Sequence, residues 1–121
     1  MVEKAAARAW IDRYRAAWES YDEADIRDLF TENAVYRAHP YESGFVGQDA
    51  IIAAWNAVRD DAAGTTFDVL AVHVDGDAAF IRAVSGYPVF GDVWDNLFEV
   101  ELGEDGRATS FTGWDIKRPA A

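Results

Sequence analysis

Apolar residues recur at helical spacing through the first part of the chain. Ala7, Trp10, Tyr14, Ala17, Trp18 and Tyr21 share one stripe, with Asp12, Arg13, Arg15 and Glu19 mostly on other faces, which predicts an amphipathic helix over 3–21 with an aromatic buried side. Asp22 is placed to cap a short second helix, with Asp25 in the capping-box position and Ile26, Leu29 and Phe30 as its apolar stripe. Residues 34–38 read as a short strand ending at His39-Pro40, and a turn-rich stretch follows at Glu42-Ser43-Gly44. A third helix is expected from near Gly47, with Ile51, Ile52, Trp55 and Val58 on one face, ending before Gly64.

Beyond Gly64 the period changes from helical to alternating. Asp75-Gly76, Gly91-Asp92 and Gly103-Glu104-Asp105-Gly106 mark three reversals, so antiparallel strands are expected at about 66–74, 77–89, 92–102 and 107–117. Pairing Val74 with Asp77 sets Leu70 against Ile81 and Val72 against Ala79. Pairing Val89 with Asp92 sets Tyr87 beside Trp94, Ser85 beside Asn96, Ala83 beside Phe98 and Ile81 beside Val100. These residues share one apolar face, interrupted by Ser85 and Asn96. The other face pairs Arg82 with Glu99 and carries His73, Phe67, Val69, Val84 and Leu97. Three helices and then a meander predict an α+β fold, helices on the first sheet face and the second free for a partner.

Composition sharpens this picture mainly by exclusion. The 121 residues are 50% hydrophobic and 14% aromatic, and a chain of this size can bury roughly two-thirds of its unfolded surface without metal or disulfide support. There is no cysteine, so disulfides, thiolate metal sites and cysteine nucleophiles are ruled out. Eleven Lys and Arg against 22 Asp and Glu leave a formal charge of −11, which disfavours nucleic acid and acidic membrane surfaces. The longest apolar run, Ala50 to Trp55, is far short of a membrane span, and charges in the first 20 residues break any signal-peptide core. One domain over 1–121, in the cytoplasm, is the expectation.

Several segments in order resemble the nuclear transport factor 2-like superfamily, in its SnoaL-like polyketide cyclase and ketosteroid isomerase branch. They are the aromatic first helix, the run from Asp25 to Tyr36, His39-Pro40, the helix start Gly47-x-x-x-Ile51, and Asp105-Gly106-Arg107 ahead of a strand with Trp114. The resemblance implies a cone-shaped α+β fold, three helices on a curved, mainly antiparallel sheet, with a central pocket. It also implies roles. Tyr14 is similar to the family's oxyanion-donating tyrosine, His39 before Pro40 stands where a base aspartate would be, and Asn96 matches the second oxyanion donor.

The residues themselves fit that chemistry in part. A neutral imidazole can take a proton next to a carbonyl while a tyrosine hydroxyl and an amide donate to the enolate oxygen. Each also has a plainer reading: His39 hydrogen-bonded at a strand end, Tyr14 packed in the core, Asn96 bonded to Ser85 or backbone. Trp18, Tyr36, Trp55, Tyr87, Trp94 and Phe98 are candidate pocket walls. Asp115 is a reserve acid or base if the third hairpin turns Trp114 outward. The expected partner is a small apolar ligand, handled without cofactor or metal, and the expected assembly is a homodimer through the outer sheet face. Two alternatives remain: a non-catalytic ligand-binding or protein-interaction domain, and an epoxide hydrolase-like enzyme, which would need an Asp/Arg/Asp group in the cavity.

Overall fold

The computed structural model describes residues 1–59 and 64–120. Helix α1 (Lys4–Ser20) carries the aromatic stripe, with Trp10 and Tyr14 almost fully buried. Tyr21 ends it in the left-handed conformation (φ 51°), its N–H bonded to the Ala17 carbonyl. Helix α2 (Glu23–Arg27) is capped as expected by Asp22, which accepts from the Ala24 N–H at 2.8 Å. The reciprocal half of the capping box is different: Ser20 Oγ, not Asp25, accepts a hydrogen bond from the Asp22 N–H, and the Ser20 hydroxyl donates to the Asp25 carboxylate. Helix α3 (Gln48–Ala57) starts at Gly47 (φ 90°) and buries Ile51, Ile52 and Trp55. The acidic pair Asp60-Asp61, expected to be a solvated end, lies outside the described residues.

Six strands form one curved, unclosed sheet: β1 (Phe30–Arg37), β2 (Phe45–Val46), β3 (Thr66–Asp75), β4 (Ala78–Tyr87), β5 (Asp92–Leu102) and β6 (Ala108–Lys117), in the order β2-β1-β6-β5-β4-β3. The α+β class and the meander are those expected. Strand β1 is longer than the 34–38 segment and pairs in parallel with β6, while β2 falls between the expected turn at Glu42-Ser43-Gly44 and the third helix, where no strand was expected. This pairing is non-local, so no short-range pattern announces it.

The hairpin registers correct the expected ones. Asp75 pairs with Ala78, and Tyr87 with Asp92 across the longer turn from Pro88 to Gly91. Val72 therefore faces Ile81, Ala79 faces Val100, and Ala83 faces Asn96, while Arg82 sits opposite Leu97 and not Glu99. Each slip is an even step, so strands β4 and β5 keep their inner and outer faces. Strand β3 does not follow suit. A bulge at Leu70 separates the pairs Val69–Ala83 and Ala71–Arg82, and the extra residue inverts the alternation before it. Phe67 (7% exposed) and Val69 thus join the core side, and Leu70 (57% exposed) turns outward, the reverse of the expectation. His73 is exposed, as expected.

Helix α1 crosses the inner face over β3 and β4, and α3 lies along β1 and β2. At one end the inner face is closed by Trp10, Phe30, Val100 and Phe111, all 1% exposed or less. The Trp10 indole N–H bonds the Leu29 carbonyl at 3.0 Å, tying α1 to the start of β1. No helix is long and apolar enough to cross a membrane, among the described residues.

Candidate active site

The other end of the inner face is open, and a cavity of about 480 Å³ lies there between α1 and the sheet. Helix α1 brings Tyr14 and Trp18 to it, one turn apart. Strand β1 brings Tyr36, and the chain leaving that strand brings His39. From the sheet come Ser85 and Tyr87 on β4, then Trp94, Asn96 and Phe98 at alternate positions on β5, and Asp115 on β6. The candidate residues from three distant parts of the chain share one space. Trp55 is the exception: it stands behind Trp18, stacked on it at 5.1 Å, and lines an adjoining recess of about 600 Å³.

The third hairpin decides the chemistry. Its turn is closed by the Gly103 N–H on the Arg107 carbonyl (2.8 Å), and a register shift at Glu101/Leu102 follows. Leu97 then pairs with Trp114 and Asn96 with Asp115. Trp114 is turned outward, 46% exposed, and Asp115 faces in. Asn96 (7% exposed) and Ser85 (3%) are the only buried polar side chains among the described residues. With the amide placed so that both of its ends are satisfied, the Asn96 nitrogen donates to Asp115 Oδ1 at 2.9 Å. Its oxygen accepts from the Ser85 hydroxyl at 2.9 Å and the Ser85 N–H at 3.3 Å.

Electrostatics single out Asp115. Burial pushes its carboxyl up to about 6, while the His39 charge pulls the other way. Burial also raises Tyr14 well above the usual tyrosine range, with Tyr36, Tyr87 and Asp115 adding to the shift and a hydrogen bond with Trp18 opposing it. Tyr36 and Tyr87 are raised for the same first reason, again with a contribution from Asp115. These phenols stay protonated at neutral pH and act as donors. His39 itself sits at the exposed mouth.

Phe67 and the mouth residues Phe90, Asp92, Arg15 and Glu19 also line the cavity and were not expected there. Phe67 depends on the Leu70 bulge, for which the sequence carries no signal, and Phe90 and Asp92 on the length of one turn. Arg82 is exposed on the outer face, so the guanidinium at this cavity is that of Arg15 at its mouth. No group of three His, Cys, Asp or Glu side chains is placed to hold a metal ion, among the described residues.

Residues 11–118 match the SnoaL-like domain family. The chain belongs to that family. The SnoaL-like fold recurs in solved structures at low identity. A protein from Agrobacterium tumefaciens assigned as an isomerase of the SnoaL-like family is 23% identical with a TM-score of 0.76, over 93% of this chain and 98% of its own. A protein from Sinorhizobium meliloti assigned as a polyketide cyclase is 23% identical with a TM-score of 0.73, over 87% and 93%. A cystatin-like protein of unknown function from Methylobium petroleophilum is 22% identical with a TM-score of 0.78, over 99% and 81%. No curated protein matches the chain. At these identities the solved structures establish the fold.

Proposed function

We propose that this SnoaL-like domain is a cofactor-independent enzyme of the isomerase or cyclase type, which takes a proton from carbon next to a carbonyl on a small apolar ligand. The observation that carries the reading is the half-buried Asp115 carboxyl inside a cavity walled by aromatic rings, where burial pushes it up to about 6. An acid tuned there is largely ionised at neutral pH, yet basic enough to hold a proton in transit. We assign the base to Asp115 in place of His39. Asp115 is the group buried among the ligand-facing rings, whereas the exposed His39 is placed to exchange protons with solvent.

In the proposed step the C–H bond breaks, an O–H bond forms on Asp115, and the electron pair moves to the carbonyl oxygen. The Tyr14 hydroxyl, buried and kept protonated, donates to that oxygen. The same carboxylic acid then returns the proton to the rearranged carbon skeleton. Asn96 enters as a partner of Asp115, so the donor role falls on Tyr14.

The test is hydrogen–deuterium exchange at the α-carbon of 2-tetralone, an apolar ketone, in D₂O by NMR. The protein should accelerate exchange over buffer and Asp115→Asn should abolish the acceleration. A fully active Asp115→Asn protein would sink the assignment. Ligand binding with no exchange would favour the non-catalytic binding domain.

We also propose that a second copy of the chain covers the outer sheet face. The support is Leu97 (37% exposed) beside Trp114 (46%), with Ile116 (73%) next along β6. Phe67 and Val69, expected in this patch, face the core. Light scattering should give twice the chain mass, and Trp114→Glu should halve it. A monomeric wild-type protein at micromolar concentration would refute the dimer.

A further inference from the structure

Ser85 and Asn96 stand on neighbouring strands behind the Asp115 carboxylate and form one hydrogen-bonded line with it: Ser85 hydroxyl to Asn96 oxygen at 2.9 Å, Asn96 nitrogen to Asp115 Oδ1 at 2.9 Å. Asparagine is suited to this place because its two ends differ, one accepting and one donating. The Ser85 backbone N–H can only donate, so it sets the amide end beside it as the accepting one, and the donating end points toward Asp115. The second carboxylate oxygen has a separate accommodation. A Cβ at Gly113, two residues back on the same inner face, would lie 2.8 Å from Asp115 Oδ2 and 2.7 Å from the Ala38 carbonyl. The missing side chain leaves that oxygen its space.

We infer that Asn96, oriented by Ser85, is a positioning residue that binds Oδ1 of Asp115 from behind and presents Oδ2, above Gly113, as the oxygen that exchanges protons with the ligand. The inference rests on Asp115 being the proton-transfer group. A carboxylate free to rotate would offer either oxygen in many directions; one tethered at Oδ1 keeps its other oxygen in one place, above Gly113, without reorganisation at each turnover. The other titratable groups facing Asp115 are His39 beyond the end of β1, Tyr14 on α1, Tyr36 on β1 and Tyr87 on β4.

The test is an NMR titration of the whole chain. The Asp115 side-chain carboxyl carbon reports its protonation, and the Asn96 side-chain amide protons report the contact without any substitution. In the wild-type protein one Asn96 amide proton should shift with the same midpoint as the Asp115 carbon, and this movement should vanish in Asp115→Asn. It should persist in His39→Gln, which removes the neighbouring imidazole. In Asn96→Ala the Asp115 midpoint should rise by about one unit, because a donor to the charged form is lost. Ser85→Ala should raise it by less. An Asn96 amide indifferent to Asp115 protonation, or a midpoint unmoved or lowered in Asn96→Ala, overturns the inference. The exchange experiment fails separately: if Asp115→Asn keeps its 2-tetralone activity while the amide still follows Asp115, the base assignment is wrong and the contact is real.

Discussion

The two ends of the inner sheet face are built on the same strands and under the same helix, yet they behave as opposites. At the closed end, Trp10, Phe30, Val100 and Phe111 exclude water, and the polar atom of Trp10 is satisfied by the Leu29 carbonyl. At the open end the same alternation carries Ser85, Asn96 and Asp115 where the closed end has apolar residues. Tyr14 lies between the two, its ring 5.4 Å from Trp10 and 5.3 Å from Phe98, with its hydroxyl hydrogen-bonded with Trp18 and Tyr36 at the open side. The comparison shows a division of labour within one layer. Dry packing at one end contributes the stability, which lets the other end keep a cavity and a desolvated carboxyl that both cost stability.

That division is broken most severely at the closed end. Trp10→Ala should cost about 3–5 kcal/mol in a denaturant titration, a large share of the total stability of about 5–15 kcal/mol typical of such a chain. A loss below about 1 kcal/mol would mean that the closed end is not where the fold is held. At the open end a substitution should stabilise, and only at higher pH. The Asp115 carboxyl is raised to about 6 in the folded chain, against about 3.9 when unfolded, so the folded state binds this proton more tightly. Below about pH 4 the group is protonated in both states and has no effect. Above about pH 6 the buried charge opposes folding, so Asp115→Asn should stabilise the protein there by on the order of 2 kcal/mol, after allowance for solvent at the mouth. Thermal melts of both proteins across this range should coincide below about pH 4 and separate as pH rises through about 6.

Tyr14→Phe keeps the ring contacts and removes only the hydroxyl. Its stability should change by about 1 kcal/mol or less, while 2-tetralone exchange should slow about tenfold or more; equal, small effects on both would make Tyr14 a packing residue. The smallest stability change is expected at the rim. Phe90, 58% exposed, should tolerate Ala within about 0.5 kcal/mol, and the substitution should weaken apolar ligand binding as read by Trp fluorescence.

Legibility in the sequence follows the range of the interaction concerned. Helix stripes, the Asp22 cap and the glycine-marked reversals depend on residues a few positions apart, and they are found where expected. The even hairpin slips left the faces of β4 and β5 intact, so Asn96 and Trp94 were assignable to the inner side from alternation alone. The Leu70 bulge is different, since one extra residue moves Phe67 and Val69 across the sheet, and Leu70 differs in no way from an ordinary strand residue. Asp115 was the undecided case for the same reason: its face depends on whether the third turn is odd or even in length. The convergence of His39 with Asp115 needed the parallel β1–β6 pairing, which joins segments more than 70 positions apart.

Whether Asp115 is the base is read most directly from the pH dependence of 2-tetralone exchange catalysed by the wild-type protein, with Asp115→Asn beside it. The rate should climb with pH through an inflection near 6, where Asp115 becomes ionised, and fall at least about a hundredfold in the variant at pH 7. A rate without an inflection in that region, or one unchanged in a folded Asp115→Asn protein, would contradict that role.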